Sequence, residues 1–140
     1  MNNFLVDEDN TVFTNDLAEA NFNNCIIYGN DNPELILDEE NGSAFNFKFT
    51  NCLIRFEDNN NNFTGPNYNF GDSSLYENVI FNQEPDFRDA FINDLIIGDN
   101  SAANGKGNTT FATQVPFDIL NVNRTASPDL GAYQHITFED

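Results

Sequence analysis

Few side chains in this sequence have the types and spacing that catalysis requires. The single histidine, His135, falls in the C-terminal tail, where a base is poorly oriented. No nucleophile motif of the Gly-x-Ser-x-Gly type and no His-Glu-x-x-His zinc motif is present. Lys48 and Arg55 form the one basic pair close to a repeated segment. Whether the chain is an enzyme is left uncertain, and the balance leans against it.

The two cysteines, Cys25 and Cys52, could form a disulfide, bind a metal ion or fill a core. If their segments stack as neighbouring strands, their β-carbons lie near the ~4.8 Å strand spacing, which exceeds the ~3.8 Å of a relaxed disulfide. Val79 takes the third place in the same column. We therefore predict an inward stack of free thiols, with a disulfide and a metal site left open as alternatives.

Acidic and amide clusters could hold calcium, and they cover residues 7–10, 31–40, 57–62 and 94–100. None has the twelve-residue EF-hand spacing or the glycine-rich calcium nonapeptide. A solvated surface is the favoured interpretation. We predict no cofactor, and calcium stays open.

A polar insertion at residues 57–75 contains three aromatic residues, Phe63, Tyr68 and Phe70, among asparagines and aspartates. Loops that leave a regular scaffold carry function more often than the scaffold does. Flat rings beside amide hydrogen-bonding groups suit a sugar face, so these three residues are the predicted ligand-binding site. The alternative is a polar loop that folds back over its own aromatic side chains.

The charge balance restricts the partners. Twenty-three acidic residues stand against five basic ones, which gives a formal net charge of -18. Such a field repels nucleic acid and anionic membranes, and no uncharged apolar run reaches the ~18 residues of a membrane span. Cations, basic proteins and neutral glycans remain as partners.

Three segments repeat with a constant step, and they read FNNCIIYGN, FTNCLIRFE and YENVIFNQE. Phe22, Phe49 and Tyr76 are each 27 residues apart, and Asn24, Asn51 and Asn78 keep the same step. Short β-branched and aromatic runs bounded by Asn and Gly indicate strands. We predict parallel, adjacent strands whose three asparagines stack as a ladder, adopt the left-handed corner conformation and bond from one segment to the next.

A repeat of this length predicts an all-β fold, namely a right-handed parallel β-helix, or solenoid, of about three to five coils with a C-terminal capping segment. Residues 1–140 would form a single domain, with repeat coils at 1–84, the insertion at 57–75, and a final coil with the cap at 85–140. The only helix-favouring run is DLAEA, residues 16–20. In the cap, Arg124 and Asp129 would close a corner through a charge-assisted bond, and Tyr133 would pack.

The sequence resembles pectate-lyase-like parallel β-helix repeat proteins of the kind that Bacteroidetes secrete or display. The resemblance is carried by the coil phrase NCIIYGN and by a closing pattern in five pieces, residues 85–87, 94–97, 101–107, 118–124 and 128–134. Ala102 stands where the family usually has proline, and Asn121 stands where glycine is frequent.

The resemblance implies a secreted or cell-surface protein whose longer β-helix continues upstream. The expected function is a non-catalytic module that contributes to glycan or protein binding, with a polysaccharide or a surface protein as partner. The alternative is a fragment of a glycan-active enzyme, either a polysaccharide lyase or a glycoside hydrolase. In a lyase of this kind, Lys48 or Arg55 would be the candidate proton acceptor.

Overall fold

The computed structural model describes residues 1–139, in which ten short strands alternate with long loops. The strands are β1 (Phe4–Val6), β2 (Val12–Thr14), β3 (Leu17–Asn23), β4 (Ile26–Ile27), β5 (Phe45–Thr50), β6 (Leu53–Ile54), β7 (Tyr76–Glu77), β8 (Ile80–Phe81), β9 (Phe87–Asp89) and β10 (Asp94–Ile97). One short α-helix, α1, covers Thr109–Ala112, and 3₁₀ turns cover Pro66–Tyr68 and Ala90–Ile92. No helix in this range is long and apolar enough to cross a bilayer.

The 27-residue step is the register of two parallel three-stranded sheets, β3-β5-β7 and β4-β6-β8. Phe22 pairs with Phe49, which pairs in turn with Tyr76. In the second sheet, Ile26, Leu53 and Ile80 are aligned in the same way. The prediction that the repeated segments form parallel, adjacent strands is therefore confirmed.

The predicted right-handed parallel β-helix of three to five coils is wrong. The described residues form four separate short sheets, two parallel and two antiparallel, without a closed or solenoid sheet. Most strands have only two or three residues, so the pairing stops after each short alignment. Beyond the third repeat, the turn at Ala90–Ile92 and the left-handed Asn93 reverse the chain, and β9 and β10 therefore pair antiparallel.

The helix-favouring run at residues 16–20 does not form a helix, because Leu17 to Ala20 belong to β3 and pair with β5. Pairing along a neighbouring strand outweighs a helix propensity of a few tenths of a kcal/mol per residue. The helix forms instead at α1, where the Asn108 side chain accepts a hydrogen bond from the Thr110 amide.

The core lies under the parallel strands and is aromatic. Phe49 is fully buried, and its ring stacks on Phe22 at 4.7 Å and on Tyr76 at 5.7 Å between centroids. A second buried cluster joins Leu53 to Ile97 and Leu130. This second cluster packs the C-terminal segments against the repeat.

The asparagine column has the predicted backbone conformation, with φ values of 53°, 52° and 53° at Asn24, Asn51 and Asn78. Asn24 and Asn51 do not form the predicted hydrogen bonds to the next asparagine of the column. Asn24 instead donates to the carbonyl of Asn108 (3.0 Å) and accepts from its amide (2.7 Å), and Asn51 donates to the carbonyl of Lys106 (2.8 Å). The column therefore fastens the segment at 106–108 to the corner of the sheets.

Candidate functional site

The predicted aromatic site at residues 57–75 packs against the core. Phe63, Tyr68 and Phe70 are half-buried and surround the buried Phe56, with ring centroids at 5.9, 5.5 and 4.8 Å from it. The Tyr68 hydroxyl accepts from the Leu37 amide (2.7 Å) and donates to the Leu37 carbonyl (3.0 Å). Burial raises the pKa of Tyr68. These contacts fit the alternative of a loop folded over its own aromatic side chains.

A different concave surface, the Tyr28 cleft, gathers groups suited to ligand binding. It encloses about 720 Å³, and its walls include Tyr28, Asn30, Arg55, Glu57, Glu84, Phe87, Asn93 and Leu95. Four chain segments meet there, namely the ends of β4 and β6, the stretch that leads into β9, and the stretch from Ala90 to Leu95 of β10. The cleft therefore depends on the stacking of all three repeats.

The register of the repeat builds this cleft. Ile27 and Ile54 are paired, and the residues that directly follow them, Tyr28 and Arg55, occupy equivalent positions in the repeat. Asn30, Glu57 and Glu84 form a second column with the same 27-residue step. The two columns could be found in the sequence from their 27-residue step, but only the alignment of the strands shows that they form one cleft.

Arg55 connects the two columns. Its guanidinium lies 5.7 Å from the centroid of the Tyr28 ring, and Nη1 donates to the Gly29 carbonyl (2.6 Å). Its Nε lies 4.0 Å from Oε1 of Glu57 and has no hydrogen-bond partner among the described residues. A cation held over an aromatic face contributes about 0.5–2 kcal/mol. Arg55 is therefore held in place while one donor remains unused.

Tyr28 spans the cleft, because its hydroxyl donates to Oε1 of Glu84 (3.1 Å). Burial, and then the Glu84 carboxylate, raise the pKa of Tyr28. The Phe87 ring meets Tyr28 edge-on at 6.5 Å. The cleft thus offers two ring surfaces, two carboxylate acceptors and the amide groups of Asn30 and Asn93.

An ordered acid-histidine pair lies elsewhere, and sequence reasoning dismissed it. The fully buried Asp129 carboxylate accepts from His135 Nδ1 (2.7 Å), from the His135 amide (2.7 Å) and from the Gly105 amide (2.6 Å). His135 Nε2 lies 4.0 Å from Oδ1 of Asp99. The contacts of Asp129 join three segments of the C-terminal region, so we interpret the pair as structural.

Arg124 and Asp129 do close a corner, although not through the carboxylate. The Arg124 guanidinium donates to the main-chain carbonyls of Asp129 and Gly131, each at 3.0 Å. Tyr133 is half-buried and lines a small apolar pocket with Ile26 and Leu130, which agrees with a packing role.

Cys25 and Cys52 are free thiols, as predicted. Cys52 is fully buried and Cys25 half-buried. In the structure Cys25 Sγ donates to the Asn23 carbonyl and Cys52 Sγ to the Phe22 carbonyl, each at 3.3 Å. The neighbouring Cys52 thiol lowers the pKa of Cys25 to about 7, and the proximity of Cys25 together with burial raises the pKa of Cys52. Cys25 also lines an open groove, so its thiolate is accessible to a reagent in solution.

We expect iodoacetamide to modify Cys25 and to spare Cys52 at pH 7, with a reactivity midpoint near the lowered pKa. Replacing Cys52 with valine, the residue in the third repeat, removes the neighbouring thiol and raises that midpoint. The thiolate fraction falls more than tenfold, but a more basic thiolate is more nucleophilic, so the rate at pH 7 drops only about fivefold. Mass spectrometry across pH 5–9 measures both effects. An unchanged midpoint in Cys52→Val contradicts the coupling.

Among residues 1–139, no group of three or more His, Cys, Asp and Glu side chains is placed to hold a metal ion. Calcium is also held by main-chain and amide oxygens. The absence of a cofactor, with calcium open, therefore stays a prediction.

Comparison with protein-family models, with curated proteins and with solved structures gave no match. The resemblance to the secreted Bacteroidetes proteins stays a prediction at the level of sequence motifs, and the β-helix that it implied is wrong.

Proposed function

We propose that the chain is a non-catalytic binding module of a secreted or cell-surface bacterial protein and that it holds a neutral glycan in the Tyr28 cleft. The observation that carries this proposal is the convergence of Tyr28, Arg55 and Glu84 on one concave surface. Ligand sites combine apolar or aromatic walls with a few placed polar groups. This cleft has both.

Each part of a sugar has a counterpart in the cleft. The apolar faces of sugar rings can lie against Tyr28, Phe87 and Leu95, which supply the hydrophobic contact. Sugar hydroxyls can donate to the carboxylates of Glu57 and Glu84 and can accept from the amide groups. Binding then needs no ionic group on the ligand.

Charge supports a neutral rather than an acidic glycan. Glu57 and Glu84 lie in the cleft with a single arginine, and the whole chain carries -18. A uronate or sulfate would enter an unfavourable field, and the same field opposes nucleic acid.

The enzymatic alternative has less support. Its candidate proton acceptors were Lys48 and Arg55, but Lys48 lies on β5 and pairs with Glu77 of β7 at 2.6 Å. Lys48 is not among the residues that line the cleft. Lys48 and the cleft residue Arg55 therefore lie on different surfaces.

We expect a fluorescently labelled chain to bind a neutral oligosaccharide on a glycan array and Tyr28→Ala to weaken that binding about tenfold, because an aromatic hot spot contributes more than 1 kcal/mol. Tyr28→Phe keeps the ring and should lose only about two- to threefold. Phe13→Ala, in a half-exposed aromatic residue of β2, is the matched control and should bind normally.

Three outcomes contradict the proposal. They are the absence of neutral-glycan binding, an equal affinity of Tyr28→Ala, and the release of shortened or unsaturated sugars by the chain alone. The last result supports the glycan-active enzyme instead.

A further inference from the structure

The strands β3 and β4 lie at the same outer edge of the two parallel sheets. They follow one another in the chain with a corner at Asn24, where the Gly131 amide donates to the Asn24 carbonyl (2.8 Å) and Gly131 packs against the Ile26 side chain. The chain itself therefore covers part of the β4 edge, and β3 from Ala20 to Asn23 is the edge that presents main-chain donors and acceptors to a further strand. None of these β3 residues lies in the walls of the Tyr28 cleft.

The bonding of β3 and β4 to their inner neighbours identifies the outward groups. The Asn24 amide donates to Thr50, so the even-numbered residues from Ala20 onward face β5, after the register shift that follows Leu17. Alternate residues of a paired strand face opposite ways, and the main-chain groups of Asn21 and the amide of Asn23 therefore point away from the sheet. The Asn23 carbonyl accepts from Cys25 Sγ (3.3 Å). In β4 the carbonyls of Cys25 and Ile27 accept from β6, and the Ile26 side chain packs on the second buried cluster.

A groove of about 500 Å³ runs beside the edge at Asn23–Ile26. Its far wall contains Phe111 and the exposed Val115. The charged group in its described walls is Arg124, which is 7% exposed and bonds to two carbonyls. The groove thus suits apolar side chains of an added strand.

Charge decides between a second copy of this chain and another protein. Glu19 lies exposed on β3, and two copies would each bring a charge of -18 to the contact. Like charges along an edge oppose self-pairing. A segment with lysine or arginine is attracted by the same field.

We propose that the β3 edge, together with the groove beside Asn23–Ile26, is a docking site for an extended, basic segment of a partner protein, which adds as a strand to β3. Its basic residues would lie beside Glu19, and its apolar residues would enter the groove at Val115. Main-chain hydrogen bonds supply affinity in this mode, and alternate side chains supply specificity.

The test uses the full chain and an acetylated ten-residue peptide that alternates Lys and Thr in one half and Val and Thr in the other. The reversed peptide covers the opposite strand direction. Fluorescence anisotropy should detect binding by one of them. Asn21→Pro removes the outward amide without disturbing β5 and should weaken binding about tenfold. Asn21→Ala keeps that amide and should bind normally.

Two further controls separate strand addition from charge attraction alone. N-methylation of alternate peptide amides should abolish binding, and so should replacement of every peptide lysine by glutamate. Val115→Asp should also weaken binding about tenfold, whereas Phe91→Asp, at an exposed residue outside the groove, should not. Val115→Asp keeps the test valid if Asn21→Pro does not fold.

The proposal is overturned if neither peptide binds or if the N-methylated peptide binds equally. Equal binding of the glutamate peptide also overturns it. Sedimentation that shows a dimer at low salt, lost in Asn21→Pro, assigns the edge to a second copy and overturns the choice of partner.

Discussion

Replacing Phe49 with alanine should lower the free energy of unfolding by about 3–5 kcal/mol. The Phe49 ring is fully buried between Phe22 and Tyr76, with centroids at 4.7 and 5.7 Å, and Phe47 meets it edge-on at 5.8 Å. Its removal leaves a cavity in the middle of the aromatic column. Urea unfolding followed by circular dichroism measures the change.

A loss of this size can unfold a domain of ordinary stability, so Phe49→Leu provides a second measurement. Leucine keeps most of the volume, and we expect a cost of about 1–2 kcal/mol. Phe13→Ala, in a residue that is 50% exposed, should cost well under 1 kcal/mol. If Phe49→Ala costs no more than Phe13→Ala, the aromatic column is not the core.

Replacing Asp129 with alanine should cost about 3 kcal/mol or more. The carboxylate is fully buried and accepts from the amides of Gly105 and His135 and from the His135 ring. Its loss removes three hydrogen bonds to a charged acceptor, and such bonds contribute about 1.5–3 kcal/mol each, with the lower value applying here because Gly105 and His135 are exposed to water. Hydrogen exchange should show the Gly105 and His135 amides losing protection together.

Asp99→Ala is the matched control for this effect. Asp99 is exposed and lies 4.0 Å from the other side of the His135 ring, and exposed pairs contribute at most about 1 kcal/mol. Equal losses in Asp129→Ala and Asp99→Ala would contradict the role given to the buried carboxylate.

The 27-residue repeat predicts some of the contacts in the Tyr28 cleft and not others. Tyr28 and Arg55 share a column of the repeat, so their proximity could be predicted once the strands were aligned. The contact between Tyr28 and Glu84 required more, because it joins different columns and links the first repeat to the third. The loop aromatics Phe63 and Phe70, for which the sequence left ligand binding and self-packing as alternatives, pack on Phe56.

The sequence by itself determined the 27-residue register and the left-handed asparagine corners, and it favoured free thiols over a disulfide. Equivalent residues of parallel strands pair directly, so a repeated step along the chain becomes a contact in space. Asparagine also tolerates the left-handed conformation that a tight corner needs.

Only the tertiary structure decided how the repeat ends and what its corners bind. The left-handed Asn93 after a 3₁₀ turn reverses the chain into an antiparallel pair, and no 27-residue pattern encodes that reversal. Asn24 bonds to Asn108, and Asp129 bonds to Gly105. The partners are distant in sequence or lie in segments that have no repeat. Such bonds depend on which buried donors and acceptors remain unpaired after the strands have formed.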